Sequence, residues 1–277
     1  MGLRSQRRSV LRVRAGRVVQ RPDALAVEEP LEIRVDGAAR AITMRTPGDD
    51  FELAAGFLLA EGVISGPDDV VQMRYCDDGS PDPQQNIVDV TLHPEAAAAS
   101  DLVAARRNLV TSACGICGRE SLDEVRMQAR WSLADDPAQI ALGTLLELPE
   151  RLRAGQAVFE RTGGLHAAAL FTAAGELLVV REDVGRHNAV DKVIGWALTQ
   201  GRVPARGLVL QVSGRISFEL VQKAWLAGVP VFSAVSAPSS LAVDLAQEAG
   251  MTLAGFVRDE GLNLYAGAER VSGAVPA

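Results

Sequence analysis

Apolar and polar residues alternate over positions 31–36 and 39–46, on either side of Asp36-Gly37. Period-two alternation around such a two-residue turn predicts a β-hairpin. The period then lengthens. Phe51, Ala54, Ala55, Leu58 and Leu59 recur at helical spacing. They predict a helix capped by Asp49 or Asp50, running to Glu61 and stopped by Gly62, with those five residues on its buried face. Alternation returns over 70–76 and 86–92, which predicts a second strand pair across the Gly- and Pro-rich residues 77–83. An alanine-rich stretch, 96–105, closes this part of the chain.

Farther on, Ser121-Leu122-Asp123-Glu124 matches a capping box and predicts a helix start. Residues 132–144 read as a linker, and 147–158 as a helix. From Gly164 the pattern becomes regular. Segments 166–172 and 176–180 predict a hairpin around Ala173-Ala174-Gly175. Helices at 188–198, 218–226 and 241–249 then alternate with strands at 208–212, 231–235 and 253–257. Strand 208–212 is almost wholly apolar, as parallel strands covered on both faces are. The order β-β-α-β-α-β-α-β predicts an α/β sandwich with right-handed crossovers. The expected organisation is a small α+β N-terminal domain with a basic arm (1–110), a short cysteine loop (111–119), and a larger α/β C-terminal domain (120–277).

The chain has 277 residues, 48% hydrophobic and 23% charged, which suits a soluble protein with a large core. No apolar run reaches the roughly 18 residues that span a bilayer. No secretory segment is expected, and three cysteines do not make a disulfide framework, so the expected compartment is the cytoplasm. Charge is uneven. Residues 1–21 carry seven arginines and no acid; the whole chain is −7, so the rest carries −14. The arm reads either as a solvated tail or edge strand, or as a holder of an anion or acidic partner. The acidic body excludes nucleic acid as the main ligand.

Chemistry concentrates in two places. Thr111-Ser112-Ala113-Cys114-Gly115-Ile116-Cys117-Gly118-Arg119 sets two thiols two residues apart between glycines. Four readings compete: a structural zinc site, a thioredoxin-like redox pair, two inert cysteines, or a sulfur relay. In a relay, a thiolate takes the outer sulfur of a donor persulfide and passes it on. Zinc needs four ligands, and Cys76, His93 and His166 fit no compact finger. Cys76, at a strand end, reads as a small buried hydrophobe.

The second place is the set of carboxyl ends of the C-terminal strands, where ligands of open α/β sheets settle. Those ends are Arg181-Glu182-Asp183-Val184-Gly185-Arg186-His187-Asn188, Ser213-Gly214-Arg215-Ile216-Ser217, Ser236-Ala237-Pro238-Ser239-Ser240 and Arg258-Asp259-Glu260-Gly261. Arginine forks and helix N-termini suit phosphate. Glu182, Asp183, Asp259 and Glu260 are candidate acceptors for a guanine or pterin edge. His187 starts a helix and is a candidate ligand contact. His166 reads either as a strand-start residue or as a pocket residue. No P-loop or G-x-G-x-x-G is present.

Ser112–Gly118 resembles the formate dehydrogenase accessory sulfurtransferases, the FdhD family. So do Arg161-Thr162-Gly163-Gly164-Leu165-His166, the long run from Glu182 through Lys192, Ser213-Gly214-Arg215, Ser236-Ala237-Pro238-Ser239 and Gly255-Phe256-Val257-Arg258. The resemblance covers about residues 30–265. It implies that persulfide sulfur passes from a cysteine desulfurase to the molybdenum or tungsten of a bis-pterin guanine dinucleotide, which activates formate dehydrogenase. It implies Cys114 as the persulfide carrier, assisted by Cys117. It implies a cofactor segment of Phe256, Val257, Arg258, Asp259, Glu260 and Gly261; the strand-end residues Arg186, His187, Arg215 and Ser236 are expected to hold the cofactor with it. GDP is the expected mimic of the guanine half, and a homodimer is implied. The alternative is a cofactor-holding chaperone without sulfur chemistry. The family's second domain is similar to cytidine deaminases. Zinc deaminases use H-x-E and P-C-x-x-C, and here His166 is followed by Ala167-Ala168, so no zinc is expected; with no spanning run, membrane contact is not expected either.

Overall fold

The computed structural model describes residues 3–76, 85–98, 129–258 and 260–274. The cysteine loop at 111–119, with Cys114 and Cys117, lies outside the described residues, as do Asp259 and the helix expected after Ser121.

The N-terminal part opens with an antiparallel ribbon, β1 (Ser5–Arg14) and β2 (Arg17–Ala26). A four-stranded sheet follows, from β3 (Glu29–Val35), β4 (Ala38–Arg45), β5 (Val70–Tyr75) and β6 (Ile87–Leu92), in the order β4-β3-β6-β5. Both expected strand pairs form. β3 and β6 pair in parallel and place Leu31, Ile33, Val88 and Val90 against helix α1 (Asp50–Ala60).

The C-terminal part is built on a six-stranded mixed sheet. Its strands are β8 (His166–Thr172), β9 (Leu177–Asp183), β10 (Leu208–Val212), β11 (Val231–Ala234), β12 (Thr252–Arg258) and β13 (Gly261–Ala266), in the order β13-β12-β11-β10-β8-β9. The other helices are α2 (Leu142–Ala154), α3 (Ala157–Thr162), α4 (Arg186–Thr199), α5 (Phe218–Leu226) and α6 (Ser240–Ala249). Alternate residues of β10 bury opposite sides. Leu208, Leu210 and Val212 face the layer of α4, α5 and α6, while Val209 faces α2. The result is the expected three-layer α/β sandwich.

Several expectations need correction. Phe51 is 37% exposed and stacks on Tyr75, with ring centroids 4.8 Å apart. Asp49 sits at the start of α1 in the left-handed region and makes no side-chain cap; its carboxylate takes the Arg4 guanidinium at 2.6 Å. The helix read at 147–158 is two helices, broken at Gly155, where a Cβ would lie 2.7 Å from Val180. The linker contains β7 (Ile140–Ala141), which pairs in parallel with β14 (Val271–Ser272). β13 and β14 follow the last strand read from the sequence.

The two parts meet where α1 crosses α4. A methyl group on Gly56 would lie 1.9 Å from the Asp191 carbonyl oxygen, and one on Gly195 would lie 1.8 Å from that of Glu52. Backbone touches backbone in both directions, so neither helix tolerates a Cβ. Arg181 of β9 reaches across to Glu52 of α1 at 2.6 Å. One apolar cluster runs continuously from Leu31 and Leu58 to Val193 and Leu245.

Gly195→Ala is therefore expected to destabilise the protein by about 3 kcal/mol through overpacking. Gly143→Ala, in open space on α2, is expected to be neutral or stabilising by about 0.5–1 kcal/mol. Urea unfolding of the two variants checks the contrast.

Candidate functional site

β9, β10, β11 and β12 all end at one edge of the large sheet, and β8 begins there. His166 opposes Asp183 across β8 and β9, and the Ala167 amide donates to Ser213 Oγ at 2.9 Å. The loops after β10 and β11 are zipped together: the Ile216 amide donates to the Ala237 carbonyl, and the Ser239 amide to the Ile216 carbonyl. The four strand-end loops picked out by sequence thus share one edge.

A cavity of about 590 Å³ opens at this edge, on the α2 and α3 side. Leu152, Phe159 and Leu165 give it apolar walls; His166, Ser213 and the Gly163-Gly164 backbone give it polar ones. Gly214 lies over the His166 ring, where a Cβ would approach Nδ1 to 3.4 Å. The α3 wall escaped the sequence reading because the break at Gly155 was read through. Glycine between two helical runs was the signal for it.

A second cavity, about 580 Å³, lies along the β12–β13 hairpin, against Phe256, Arg258, Glu260, Gly261, Leu262 and Asn263. The ladder is bulged between Gly255 and Arg258, and Phe256 has φ +54°, an unusual conformation for a bulky residue. A bulge re-aims side chains. Here it turns the Phe256 ring outward, 40% exposed, while the Val257 side chain is wholly buried in the core beside α2. Of the expected segment, Phe256, Arg258, Glu260 and Gly261 line the cavity, and Val257 does not.

Arg186 and His187 begin α4, where backbone N–H groups favour anions. Arg186 Nε is buried and has no hydrogen-bond partner among the described residues. His187 Nε2 lies 2.7 Å from Glu219 Oε2 and 3.3 Å from Ser217 Oγ. Burial, then the charge of Arg186, holds His166 below the ordinary histidine range. Burial also lowers His187; Glu219 opposes this, while Arg186, Lys223 and His166 add to it. Arg215 is exposed and Ser236 half-buried, its carbonyl taking the Phe256 amide at 3.2 Å.

Glu182 and Asp183, expected to face a base or pterin, are committed elsewhere. Glu182 accepts from the Val158 and Phe159 amides and so caps α3. Asp183 has no exposure at all. It accepts from the amides of Thr46 and Gly185 and from Asn188 Nδ2, and Lys192 Nζ lies 2.7 Å away. Lys192 also donates to the Thr46 carbonyl, and Asn188 to that of Met44. Much of the Glu182–Lys192 run is thus a clasp on the end of β4.

The sequence matches the FdhD/NarQ family over residues 26–272. The chain belongs to that family. It is 56% identical over 271 residues to the sulfur carrier protein FdhD of Mycolicibacterium paratuberculosis, covering 96% of this chain and 98% of that one. It is 56% identical over 275 residues to that of Streptomyces coelicolor, covering 98% and 97%. A crystal structure of a putative formate dehydrogenase accessory protein from Desulfotalea psychrophila superposes with a TM-score of 0.75 at 25% identity, covering 96% of this chain and 99% of that one. No helix among the described residues is long and apolar enough to cross a membrane.

Two outcomes follow from this geometry. Lys192→Met strands the buried Asp183 carboxylate and is expected to cost about 3–5 kcal/mol in urea unfolding. Asp183→Asn together with Lys192→Met recovers part of that loss. The two imidazoles titrate lower in the folded protein than in the unfolded chain. Their contribution is therefore full above about pH 6.5 and is lost as pH falls through the depressed values. Thermal unfolding between about pH 7.5 and pH 5 should show this decline, and His166→Gln should make it shallower.

Proposed function

We propose that this chain is a sulfur carrier that takes persulfide sulfur from a cysteine desulfurase and delivers it to the metal of a bis-pterin guanine dinucleotide destined for formate dehydrogenase. It works as a cytoplasmic homodimer. The names of the relatives, sulfur carrier protein FdhD, support the first half of this reading. The observation that carries the second half is Arg186 Nε, a buried donor at a helix N-terminus without a partner among the described residues. Buried donors in native proteins are satisfied. A phosphate oxygen of the acceptor supplies what Arg186 lacks, and Arg215 and Arg258 stand on the same edge.

Burial holds His166 and His187 below the ordinary histidine range, which favours their uncharged forms beside the acceptor. The outward ring of Phe256 offers a stacking face for a base or pterin. Ser236 and the backbone of Val257 flank it, and Glu260 brings an acceptor to the base edge.

The chemistry belongs to Cys114 and Cys117. The Cys114 thiolate attacks the outer sulfur of the donor persulfide; a new S–S bond forms, the old one breaks, and the donor leaves as a thiolate. At the acceptor, the Cys117 thiolate attacks Cys114 Sγ. The two cysteines become a disulfide, their electron pair reduces the carried sulfur, and it leaves as hydrosulfide for the metal. A cellular thiol then reduces the disulfide.

Two measurements test the halves separately. After incubation with a cysteine desulfurase and cysteine, the wild type is expected to carry cyanide-labile sulfur and Cys114→Ala none; normal loading of the variant rejects the carrier role. By calorimetry, Arg186→Ala is expected to bind GDP about tenfold more weakly, a loss of about 1.4 kcal/mol. Unchanged affinity removes Arg186 from the site. Cys114→Ala that binds GDP but still activates formate dehydrogenase would establish a chaperone without sulfur chemistry.

A further inference from the structure

We propose that the β1–β2 ribbon is an arm that packs on the acidic body of a second copy of this chain. The proposal rests on the homodimer of the preceding section and names the surface through which it forms.

The ribbon has ten paired positions, so it reaches about 33 Å. It is tied down only at its root. Arg4 binds Asp49, the Val27 amide donates to the Arg4 carbonyl, and β2 rests on α3, with Ala26 against Gly164. Beyond the root, nearly every side chain is exposed. The register sorts those side chains into two faces. Leu11, Val13, Val18 and Pro22 share one. Arg8, Arg12, Arg14, Arg17 and Arg21 share the other, around Val10 and Val19.

A two-stranded ribbon with an uncovered apolar face is marginal in water. Of the twelve large hydrophobic residues most exposed among the described residues, six belong to the first 25 residues: Leu3, Leu11, Val13, Val18, Val19 and Leu25. Of these, Leu11, Val13 and Val18 lie together on one face near the tip, and an exposed apolar patch of this kind marks a contact surface. Charge points to the partner. The first 21 residues carry +7 and the rest of the chain −14, so every copy offers an acidic body to another copy's arginines. An exposed apolar pair, Ile42 and Met44 on the edge strand β4, is available to the arm's apolar face.

The arm's root also forms part of the larger site. β2 supports α3 and Gly164, both of which line the 590 Å³ cavity. Seating the arm on a second copy therefore loads the wall of the first copy's cavity.

Sedimentation velocity on the full chain tests this. The wild type is expected to be a dimer whose dissociation constant rises as salt goes from about 0.1 M to about 1 M, where the Debye length falls from about 10 Å to about 3 Å. Val13→Asp with Val18→Asp, at the tip, is expected to raise the dissociation constant about tenfold or more. Arg12→Glu with Arg21→Glu is expected to do the same. Thermal unfolding of both variants, measured at a concentration where each is monomeric, should match that of monomeric wild type, since the altered side chains are exposed. A monomeric wild type overturns both the dimer and the arm. A wild-type dimer that both variants preserve overturns the arm alone. If the variants stay dimeric but lose binding to phosphatidylserine vesicles, the ribbon docks on a lipid surface and the proposal fails.

Discussion

A carboxylate with no access to water, Asp183, holds the structure's two parts in register. A buried charge is tolerated only when it is paired and fully hydrogen-bonded. Here the partners come from three places: the end of β4 through Thr46, the turn after β9 through Gly185, and α4 through Asn188 and Lys192. Moving β4 by one residue would strip the carboxylate of the Thr46 amide and Lys192 of its carbonyl acceptor. The glycine crossing of α1 and α4 permits this closeness, since any side chain at Gly56 or Gly195 would push α1 away and β4 with it. Packing and polar pairing thus require one another: the first sets the distance and the second sets the register.

That clasp positions the functional edge without taking part in it. Gly185 follows Asp183 by two residues and is the N-cap of α4, so the direction in which Arg186 and His187 leave the sheet is fixed by the buried pair beneath them. At the opposite end of the edge, a different device operates. A Cβ at Gly255 would lie 3.0–3.1 Å from Tyr265, Pro238 and the Ser236 carbonyl, a tight fit, and the next residue, Phe256, has a left-handed backbone. Strain of this kind persists only where the surroundings impose it, and it clusters at ligand-binding and switch regions. Both ends of the edge are therefore rigid, one through buried charge and the other through crowding.

The regular parts of this architecture were legible in the sequence. Strand β10 and helix α5 appear with the expected bounds because their apolar periods are unambiguous. The shared edge was legible too, since strand order and direction decide where loops converge. The roles of Glu182 and Asp183 were not. A polar run at a strand end looks the same whether it meets a ligand or a distant backbone, and the Thr46 amide lies 137 residues away in the chain. The break between α2 and α3 was misread for a related reason. Gly155 packs so closely on Val180 that a Cβ there would lie 2.7 Å from it, a tertiary fact. Residues 1–21 read as an arm from their charge, yet the gathering of five arginines onto one face depends on the ribbon's register, which only the pairing reveals.

On the proposed reading, the electrostatics of the edge reconcile so acidic a protein with an anionic acceptor. A net charge of −7 repels a phosphate-bearing ligand at long range, but beyond roughly 8 Å that repulsion is screened at physiological salt. Within that distance the local groups decide. Arg186, Arg215 and Arg258 stand on the edge, while the Asp183 carboxylate is already paired with Lys192. Had Asp183 been free, its field would have cancelled much of what Arg186 provides. Burying the acid with its own lysine removes that cancellation, and the same pair that locks the two parts together leaves the charge of the arginine at the start of α4 available. On the proposed reading, the arm makes the same use of local charge at larger scale, holding its arginines far from the body's own acids until another copy supplies them.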